Sequence, residues 1–230
     1  MSHRSSGPEL AGLYRATRQR LVALAEGLDR GALAAPVPAC PGWVVRDVLA
    51  HLCAIAEDTL DGRLTGVPSD ADTAAQVAAR ADASIPVILA RWSRAASRFE
   101  PIIAERRIWP AVIDLASHEQ DIRGAIGLPG AQDSEIVQRC SAQMLSRLSV
   151  PVPLRVRTED GEVLAGPDPD PAAGDPDQML TLSTTLYEAF RWRMGRRSRN
   201  QMARLAWSGD PAPVLDHLAV FGPSATDIIE

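Results

Sequence analysis

The sequence predicts an α+β protein in which an N-terminal helical bundle is followed by a smaller C-terminal α+β region. Mostly apolar residues repeat at alternating spacings of four and three along Gly7–Asp29, which is typical of a helix packed in an antiparallel bundle. The helical spacing of apolar residues ends at Val150-Pro151, after which apolar and polar residues alternate over Leu154–Thr158, as in a strand. We therefore predict two domains, a helical bundle over residues 1–150 and an α+β domain over residues 151–230.

The bundle is predicted to contain five helices. Their approximate bounds are Gly7–Asp29, Val44–Leu64, Asp70–Glu100, Pro110–Ile126 and Asp133–Ser149. A Pro- and Ala-rich loop over Gly31–Pro41 should separate the first two helices. Pro86 predicts a kink or break in the third helix, whereas Pro110 and Gly127 suit the first position and the stop of the fourth.

The C-terminal region is predicted to begin with a hairpin, because the turn signal Glu159–Glu162 separates two short alternating segments. Gly166–Gln178 is rich in Pro and Asp and predicts a solvated loop. Met179–Met194 is amphipathic and predicts a helix. Shorter helices are expected from Ser198 and near Leu215–Val220.

Composition excludes several classes of function. All 24 basic residues are arginine, so a Schiff-base lysine and a Walker P-loop are both excluded. The net charge of −5 gives no overall basic field for nucleic acid, and no apolar run reaches the roughly 18 residues of a membrane helix. The first residues also lack the apolar core of a signal peptide, so we expect a cytoplasmic protein that binds neither nucleic acid nor membrane.

His51 is the first candidate for chemistry. At 100° per residue it lies about 60° from Val48 and about 40° from Ile55, on the arc of its helix that faces the bundle. A buried imidazole needs a partner for each ring nitrogen, so a core histidine bonded to a neighbouring side chain is the alternative. Of the other histidines outside the bundle, His3 is expected to be inert and His217 to lie at the surface.

A carboxylate and an imidazole lie four residues apart on the fourth helix, at Asp114 and His118, so their side chains should share one face. His51 from a facing helix would complete a set of two histidines and one carboxylate. Such a set leaves coordination positions open and suits zinc, nickel or ferrous iron in a catalytic site. Asp121 follows on the same arc and is expected to support the ligands from behind.

Two motifs resemble a known family. The segment Cys40–Leu52, which reads Cys-Pro-Gly-Trp-Val-Val-Arg-Asp-Val-Leu-Ala-His-Leu, resembles the N-terminal signature of the mycothiol-dependent maleylpyruvate isomerase family. Asp114–Arg123 resembles the second motif of that family, and a looser likeness extends to Gly209-Asp210-Pro211. The resemblance implies a DinB-like metal-binding bundle of the up-down four-helix type.

The resemblance also implies a ligand set and a cosubstrate. The family's metal is held by a histidine of the first motif and a Glu-xxx-His of the second, which fall on His51, Asp114 and His118. Asp114 stands where the family has glutamate, and its side chain is shorter by about 1.5 Å, one C–C bond. The implied cofactors are a divalent metal, zinc first with nickel or iron as alternatives, and mycothiol as cosubstrate.

The function expected from this set is metal-dependent activation of a small thiol. A thiolate can add reversibly to a small unsaturated or electrophilic carboxylic substrate, giving an isomerase, or stay attached, giving an S-transferase. Two alternatives remain open: a non-catalytic divalent-metal-binding bundle with a stress-response or sensing role, and an interaction module that has lost its metal. The sequence leaves a monomer and a homodimer equally open.

Two further features of the sequence could contribute to the site. Arg191, Arg193, Arg196 and Arg197 could hold carboxylates of the cosubstrate or substrate over the metal site, or they could be solvated charge at a helix end. Cys40 precedes the second helix, near where the site would open. It is interpreted as an ordinary small side chain, with a fourth-ligand or nucleophile role as the alternative.

Overall fold

The computed structural model describes residues 5–167 and 179–230. These residues form two compact units, one up to Gly130 together with Glu230, the other from Ala131 to Ile229. The helix predicted over Asp133–Ser149 therefore lies in the second unit, and a domain division at 150 stays a prediction. His3 and residues 168–178 of the predicted Gly166–Gln178 loop lie outside the described residues.

The first unit is a helical bundle. Its helices are α1 (Gly7–Glu26), α2 (Arg30–Leu33), α3 (Val45–Leu60), α4 (Asp70–Ala78), α5 (Ile85–Arg106) and α6 (Trp109–Ala125). Helices α1 and α3 each pack against both α5 and α6, so four long helices enclose the core. The apolar residues of the α1 stripe, such as Leu10, Tyr14 and Leu21, are fully buried in it.

Two predictions for the bundle are wrong in detail. The helix predicted over Asp70–Glu100, with a kink or break at Pro86, does break, but before Pro86: α4 ends at Ala78, and Pro86 lies in the first turn of α5, where the absence of its N–H costs nothing. Ser84 is the N-cap residue of α5. The predicted Gly31–Pro41 loop contains most of the short helix α2, which Asp29 caps by accepting a hydrogen bond from the Ala32 amide.

The second unit combines helices with a four-stranded sheet. Its elements are α7 (Glu135–Leu145), β1 (Leu154–Thr158), β2 (Gly161–Ala165), β3 (Leu180–Ser183), α8 (Leu186–Arg193), α9 (Arg199–Ala203), β4 (Ala206–Trp207) and α10 (Leu215–Leu218). The strand order is β2-β1-β3-β4, with β1 antiparallel to β2 and parallel to β3. Helix α7 packs on α8, and both contribute to a core centred on Trp192 and the inward residues of β1.

The helix predicted over Met179–Met194 is wrong in its first half, where Leu180–Ser183 forms β3. Leu180 and Leu182 pair with Leu154 and Val156 of β1, so tertiary pairing overrides the helical pattern. Helix α8 begins only after Thr185, whose side chain accepts a hydrogen bond from the Glu188 amide.

The predicted fold class is confirmed. In the described ranges every named strand follows residue 150, and only an isolated bridge between Pro36 and Val44 precedes it. This bridge closes the loop that leads into α3. Among the described residues, no helix is both long and apolar enough to cross a membrane.

Candidate metal centre

The structure brings His51, Asp114 and His118 together inside the bundle of the first unit. Their ligand atoms all lie within 4.8 Å of one another. The Nε2 atom of His51 is 3.5 Å from Oδ2 of Asp114, and Nε2 of His118 is 3.4 Å from Oδ1 of the same carboxylate. The three residues predicted as ligands thus converge, while their role as ligands stays a proposal.

Helical periodicity explains this convergence. Asp114 and His118 are one turn apart on α6, and His51 lies on the buried face of α3, which packs against α6. The two imidazole rings meet edge to face with their centroids 5.3 Å apart. The side chain of Asp114 is 28% exposed, whereas His51 is only 2% exposed, so the carboxylate marks the open side of the cluster.

Each imidazole is held at its far nitrogen by a neighbouring acceptor. Nδ1 of His51 lies 2.8 Å from Oε1 of Gln76, and Nδ1 of His118 lies 3.0 Å from Oδ2 of Asp121. An amide or carboxylate oxygen can only accept, so each ring donates its Nδ1–H there. A neutral ring in that tautomer directs the Nε2 lone pair towards Asp114, which is the arrangement that metal-binding histidines use.

The electrostatics of the cluster favour a positive charge beside Asp114. Burial by itself would raise the pKa of Asp114, but the charges of His118 and His51 and their hydrogen bonds hold it well below its usual range. Burial by itself would lower the pKa of His118, yet the Asp114 carboxylate, with hydrogen bonds to Asp121 and Cys40, raises it well above the ordinary value. The field that stabilises a proton on His118 would also stabilise a divalent cation in its place.

The donor set fits a divalent metal ion. Ligand nitrogen and oxygen atoms about 2.0–2.2 Å from a tetrahedral ion are separated by about 3.3–3.5 Å, close to the 3.4 and 3.5 Å found here. Oδ2 of Asp114 is buried, and Nε2 of His51 lies 3.5 Å from it, at the limit of hydrogen-bond length. The shorter side chain of Asp114, compared with the family's glutamate, therefore still reaches both imidazoles.

Sequence reasoning missed two residues that complete the site. Trp43 covers the two imidazoles, with its ring centroid 5.3 Å from that of His51 and 6.5 Å from that of His118. Gln76 comes from α4 and links His51 to Asp58, because its Nε2 donates a hydrogen bond to Oδ2 of Asp58 at 2.8 Å. The tryptophan of the first motif was a usable signal, whereas no local pattern pointed to Gln76.

Cys40 also touches the site. Its Sγ lies 3.7 Å from Nδ1 of His118 and 3.7 Å from Oδ2 of Asp121. Its interpretation as an ordinary small side chain therefore overlooked a contact with a candidate ligand. The thiol lies on the Nδ1 side of the His118 ring, away from the Nε2 atom that faces Asp114.

The predicted arginines lie in the second unit, and several already have partners there. Arg197 forms a forked pair with Glu188, through contacts of 2.7 and 2.8 Å, and Nη1 of Arg193 donates to the Leu218 carbonyl at 2.6 Å. Arg191 is fully buried, so the alternative of a uniformly solvated cluster is wrong. A role of Arg191, Arg193, Arg196 and Arg197 over the metal site stays a prediction. His217 is exposed on α10, as expected.

The fold and the cluster together define a helical-bundle protein with a buried pair of histidines and a carboxylate. Residues 14–113 match the family described as mycothiol maleylpyruvate isomerase N-terminal domain. This match confirms the resemblance recognised in the Cys40–Leu52 motif. The matched range ends just before Asp114, so the ligand pair of α6 lies beyond it.

Two solved structures share the fold. A crystal structure of the mycothiol-dependent maleylpyruvate isomerase is 16% identical, with a TM-score of 0.52 over 85% of this chain and 92% of that one. A histidine-to-alanine mutant of such an isomerase is 15% identical, with a TM-score of 0.53 over 90% of this chain and 96% of that one. At these identities the likeness establishes the fold. No curated protein matches the sequence significantly.

Proposed function

We propose that the chain is a mycothiol-dependent isomerase that acts on a small unsaturated carboxylic substrate, with a divalent metal held by His51, Asp114 and His118. The observation that supports it is the convergence of these three side chains in a bundle whose residues 14–113 match the isomerase family. Zinc suits the nitrogen and oxygen donors, and nickel or iron would also fit them.

The residues of the site have separate tasks in this proposal. His51 and His118 offer Nε2, while Gln76 and Asp121 keep a proton on Nδ1 of each ring and fix its orientation. Trp43 lies across both imidazoles and excludes water from one side. The cosubstrate would approach from the side of Asp114, where the cluster is partly exposed.

When bound, the divalent ion supplies the positive charge that converts a thiol into a thiolate at neutral pH. The thiolate adds to one carbon of the conjugated double bond, which becomes a single bond and rotates. Expulsion of the thiolate then restores the double bond in the other geometry, so the thiol is not consumed. Retention of the thiol on the product would instead make the protein an S-transferase.

Metal content provides the first test. The full chain, purified without chelator, should contain about one divalent ion per molecule by elemental analysis, whereas His51→Ala and His118→Ala should lose most of it. His217→Ala removes an exposed histidine and should retain the metal. Thermal denaturation should show that the variants remain folded. An equal metal content in all four proteins, or none in the wild type, would contradict the proposed ligands.

Turnover separates the functional alternatives. The metal-loaded chain should isomerise a cis-unsaturated keto acid such as maleylpyruvate only when mycothiol is present. A stable thiol adduct would identify an S-transferase. Bound metal without any thiol-dependent turnover would instead support the non-catalytic metal-binding bundle.

The predicted binding of a cosubstrate carboxylate by Arg191, Arg193, Arg196 or Arg197 is tested with the same assay. Arg193→Ala should raise KM for the thiol and leave metal content unchanged, because it would remove binding of the cosubstrate without touching the ligands. Arg199 is exposed and bonded to Asp216, so Arg199→Ala is the control for loss of charge. Equal KM values for the two variants and the wild type would remove Arg193 from this role.

A further inference from the structure

We propose that Cys40, His118 and Asp121 form a second cation site, selective for a thiophilic ion, on the opposite ring nitrogen of His118 from the His51–Asp114 site. The three donor atoms lie within 4.8 Å of one another. This site does not require that the first site hold a metal, so the two proposals can fail separately.

The distances suit tetrahedral coordination with one sulfur ligand. Sγ of Cys40 is 3.7 Å from both Nδ1 of His118 and Oδ2 of Asp121, which are themselves 3.0 Å apart. An ion about 2.3 Å from sulfur and about 2.0–2.2 Å from nitrogen and oxygen separates S and N by about 3.6 Å and N and O by about 3.3 Å. Movements of a few tenths of an ångström would bring the three donor atoms to these separations.

The backbone holds Cys40 in this position. The Val37 amide donates to the Trp43 carbonyl at 2.9 Å, and the Cys40 amide donates to the Val37 carbonyl at 2.9 Å. The Trp43 amide in turn donates to the Cys40 carbonyl at 3.0 Å, and Gly42 supplies the left-handed conformation that this tight turn requires, with φ of +85°. A fixed thiol beside a buried imidazole and carboxylate lowers the cost of assembling a metal site.

The donor chemistry distinguishes the second site from the first. A thiolate selects soft ions such as Cu⁺ and Cd²⁺, and it also binds Zn²⁺, whereas the first site has only nitrogen and oxygen donors. Cys40 is partly exposed, but His118 and Asp121 are buried, so an ion could enter from the side of the sulfur. Binding releases the Cys40 S–H proton, and the neutral His118 ring must then carry its proton on Nε2, beside Asp114, instead of on Nδ1.

The two sites share one imidazole. A neutral ring has a lone pair on only one nitrogen, so His118 can serve the His51–Asp114 site through Nε2 or the Cys40 site through Nδ1. Occupation of one site should therefore weaken the other. A thiophilic ion at Cys40 would withdraw His118 from the proposed catalytic site.

Cadmium binding to the chelator-treated full chain tests the proposal. Titration with Cd²⁺ alone should produce the ultraviolet charge-transfer absorbance of a cadmium-bound thiolate, with one thiolate per chain. Cys40→Ala should lose this absorbance, whereas Cys53→Ala and Cys140→Ala should keep it. Both control thiols are fully buried, and burial raises the pKa of Cys53 to about 11 and that of Cys140 further.

Further variants separate this site from the proposed catalytic one. His51→Ala should keep the cadmium–thiolate absorbance although it damages the first site, and Cys40→Ala should keep the zinc of the first site. Prior loading with zinc should weaken Cd²⁺ binding at Cys40 by about tenfold or more, since His118 is shared. Absence of the band in the wild type, or its survival in Cys40→Ala, would overturn the proposal.

Discussion

The orientation of His51 depends on a side chain from a different helix. Gln76 is 5% exposed, and its amide joins the Nδ1–H of His51 to the carboxylate of Asp58, with both contacts at 2.8 Å. Arg63 donates a hydrogen bond to the same carboxylate and so holds Asp58 in place. Because the amide oxygen accepts from His51 while the amide nitrogen donates to Asp58, the ring tautomer is fixed by residues remote from the carboxylate of the cluster.

Replacement of Gln76 should therefore weaken metal binding without removing a ligand. Gln76→Leu leaves the Nδ1–H of His51 without its acceptor, and we expect the metal dissociation constant to rise about 10–100-fold. Gln76→Glu keeps an acceptor for His51 and should lose less affinity. Competition with a chromogenic chelator measures the three constants.

The matched control is Gln19→Leu, which makes the same chemical change at an exposed position of α1. Its metal affinity should equal that of the wild type. If Gln76→Leu binds metal as tightly as this control, Gln76 fills space and does not position His51.

The residues of the cluster differ in how far the sequence could predict them. The spacing of Asp114 and His118 places them on one face of any helix, and the buried arc of α3 selects His51, so local periodicity was sufficient. Gln76 reaches His51 from a helix whose end the sequence placed wrongly, and the contact of Cys40 depends on the fold of a loop. Such contacts depend on tertiary packing, which periodicity does not specify.

At the scale of elements, α1 and α5 approach each other closely where α1 begins. A Cβ atom built on Gly7 would lie 1.8 Å from the Ala104 carbonyl oxygen, which belongs to the backbone of α5. Backbone cannot move aside as a flexible side chain can, so the absence of a side chain at Gly7 permits the contact. The α1 stripe predicted that this helix packs in a bundle, but not this point of contact.

Gly7→Ala should therefore destabilise the protein. We expect a loss of about 1–3 kcal/mol in the free energy of unfolding, because the start of α1 must shift away from α5. Gly12→Ala is the matched control in the same helix, since its Cβ would have no heavy atom within 4 Å. That substitution should stabilise the protein by about 0.5–1 kcal/mol, the usual difference between the two residues inside a helix.

Urea denaturation of the three proteins measures both effects. If Gly7→Ala is as stable as Gly12→Ala, the two helices do not approach as closely as the structure places them. A parallel decrease in both variants would instead mean that the helix, and not its packing, determines the result.

The elements that the sequence placed wrongly have two different causes. Leu180 and Leu182 would lie about 200° apart on a helix, whereas in a strand they share one face, and there they pair with β1, which is distant in sequence. Pro86 was compatible with a kink or with a helix start, and Ser84 before it indicated the start. The secondary structure of a short segment depends on the strands or helices that pack against it, which the local sequence does not specify. The long apolar stripe of α1, in contrast, was sufficient to predict a helix from local sequence alone.

At the scale of the whole molecule, the arginines of this lysine-free chain recur around buried and half-buried carboxylates of the bundle. Three glutamates are each approached by two arginines: Glu57 by Arg80 and Arg91, Glu100 by Arg15 and Arg18, and Glu119 by Arg20 and Arg123. A guanidinium is planar and offers several donors, so it can satisfy a buried carboxylate more fully than an ammonium group can. Each glutamate has at least one arginine partner on a different helix, and protonation of Glu57 would weaken the pair that joins α3 to α5.

Glu57 provides the pH dependence that tests this idea. Burial alone would raise its pKa, but hydrogen bonds and charges from Arg91 and Arg80 leave the pKa below the ordinary value. A carboxyl whose pKa is lower in the folded state binds protons more weakly there than in the unfolded chain. Its contribution to stability is therefore present above the unfolded pKa of about 4.3 and is lost as pH falls through the folded pKa.

Glu57→Gln should consequently reduce stability at neutral pH by about 1–3 kcal/mol and flatten the loss of stability in acid. Urea unfolding at a series of pH values from about 7 to about 3 measures the two slopes, and the difference between variant and wild type should shrink towards the acid end. Glu26→Gln neutralises an exposed carboxylate of α1 and should leave the wild-type slope almost unchanged. A constant difference between Glu57→Gln and the wild type across this range would show that protonation of Glu57 is not linked to folding. The two arginines would then stabilise the bundle through packing and hydrogen bonds that do not depend on the charge of Glu57.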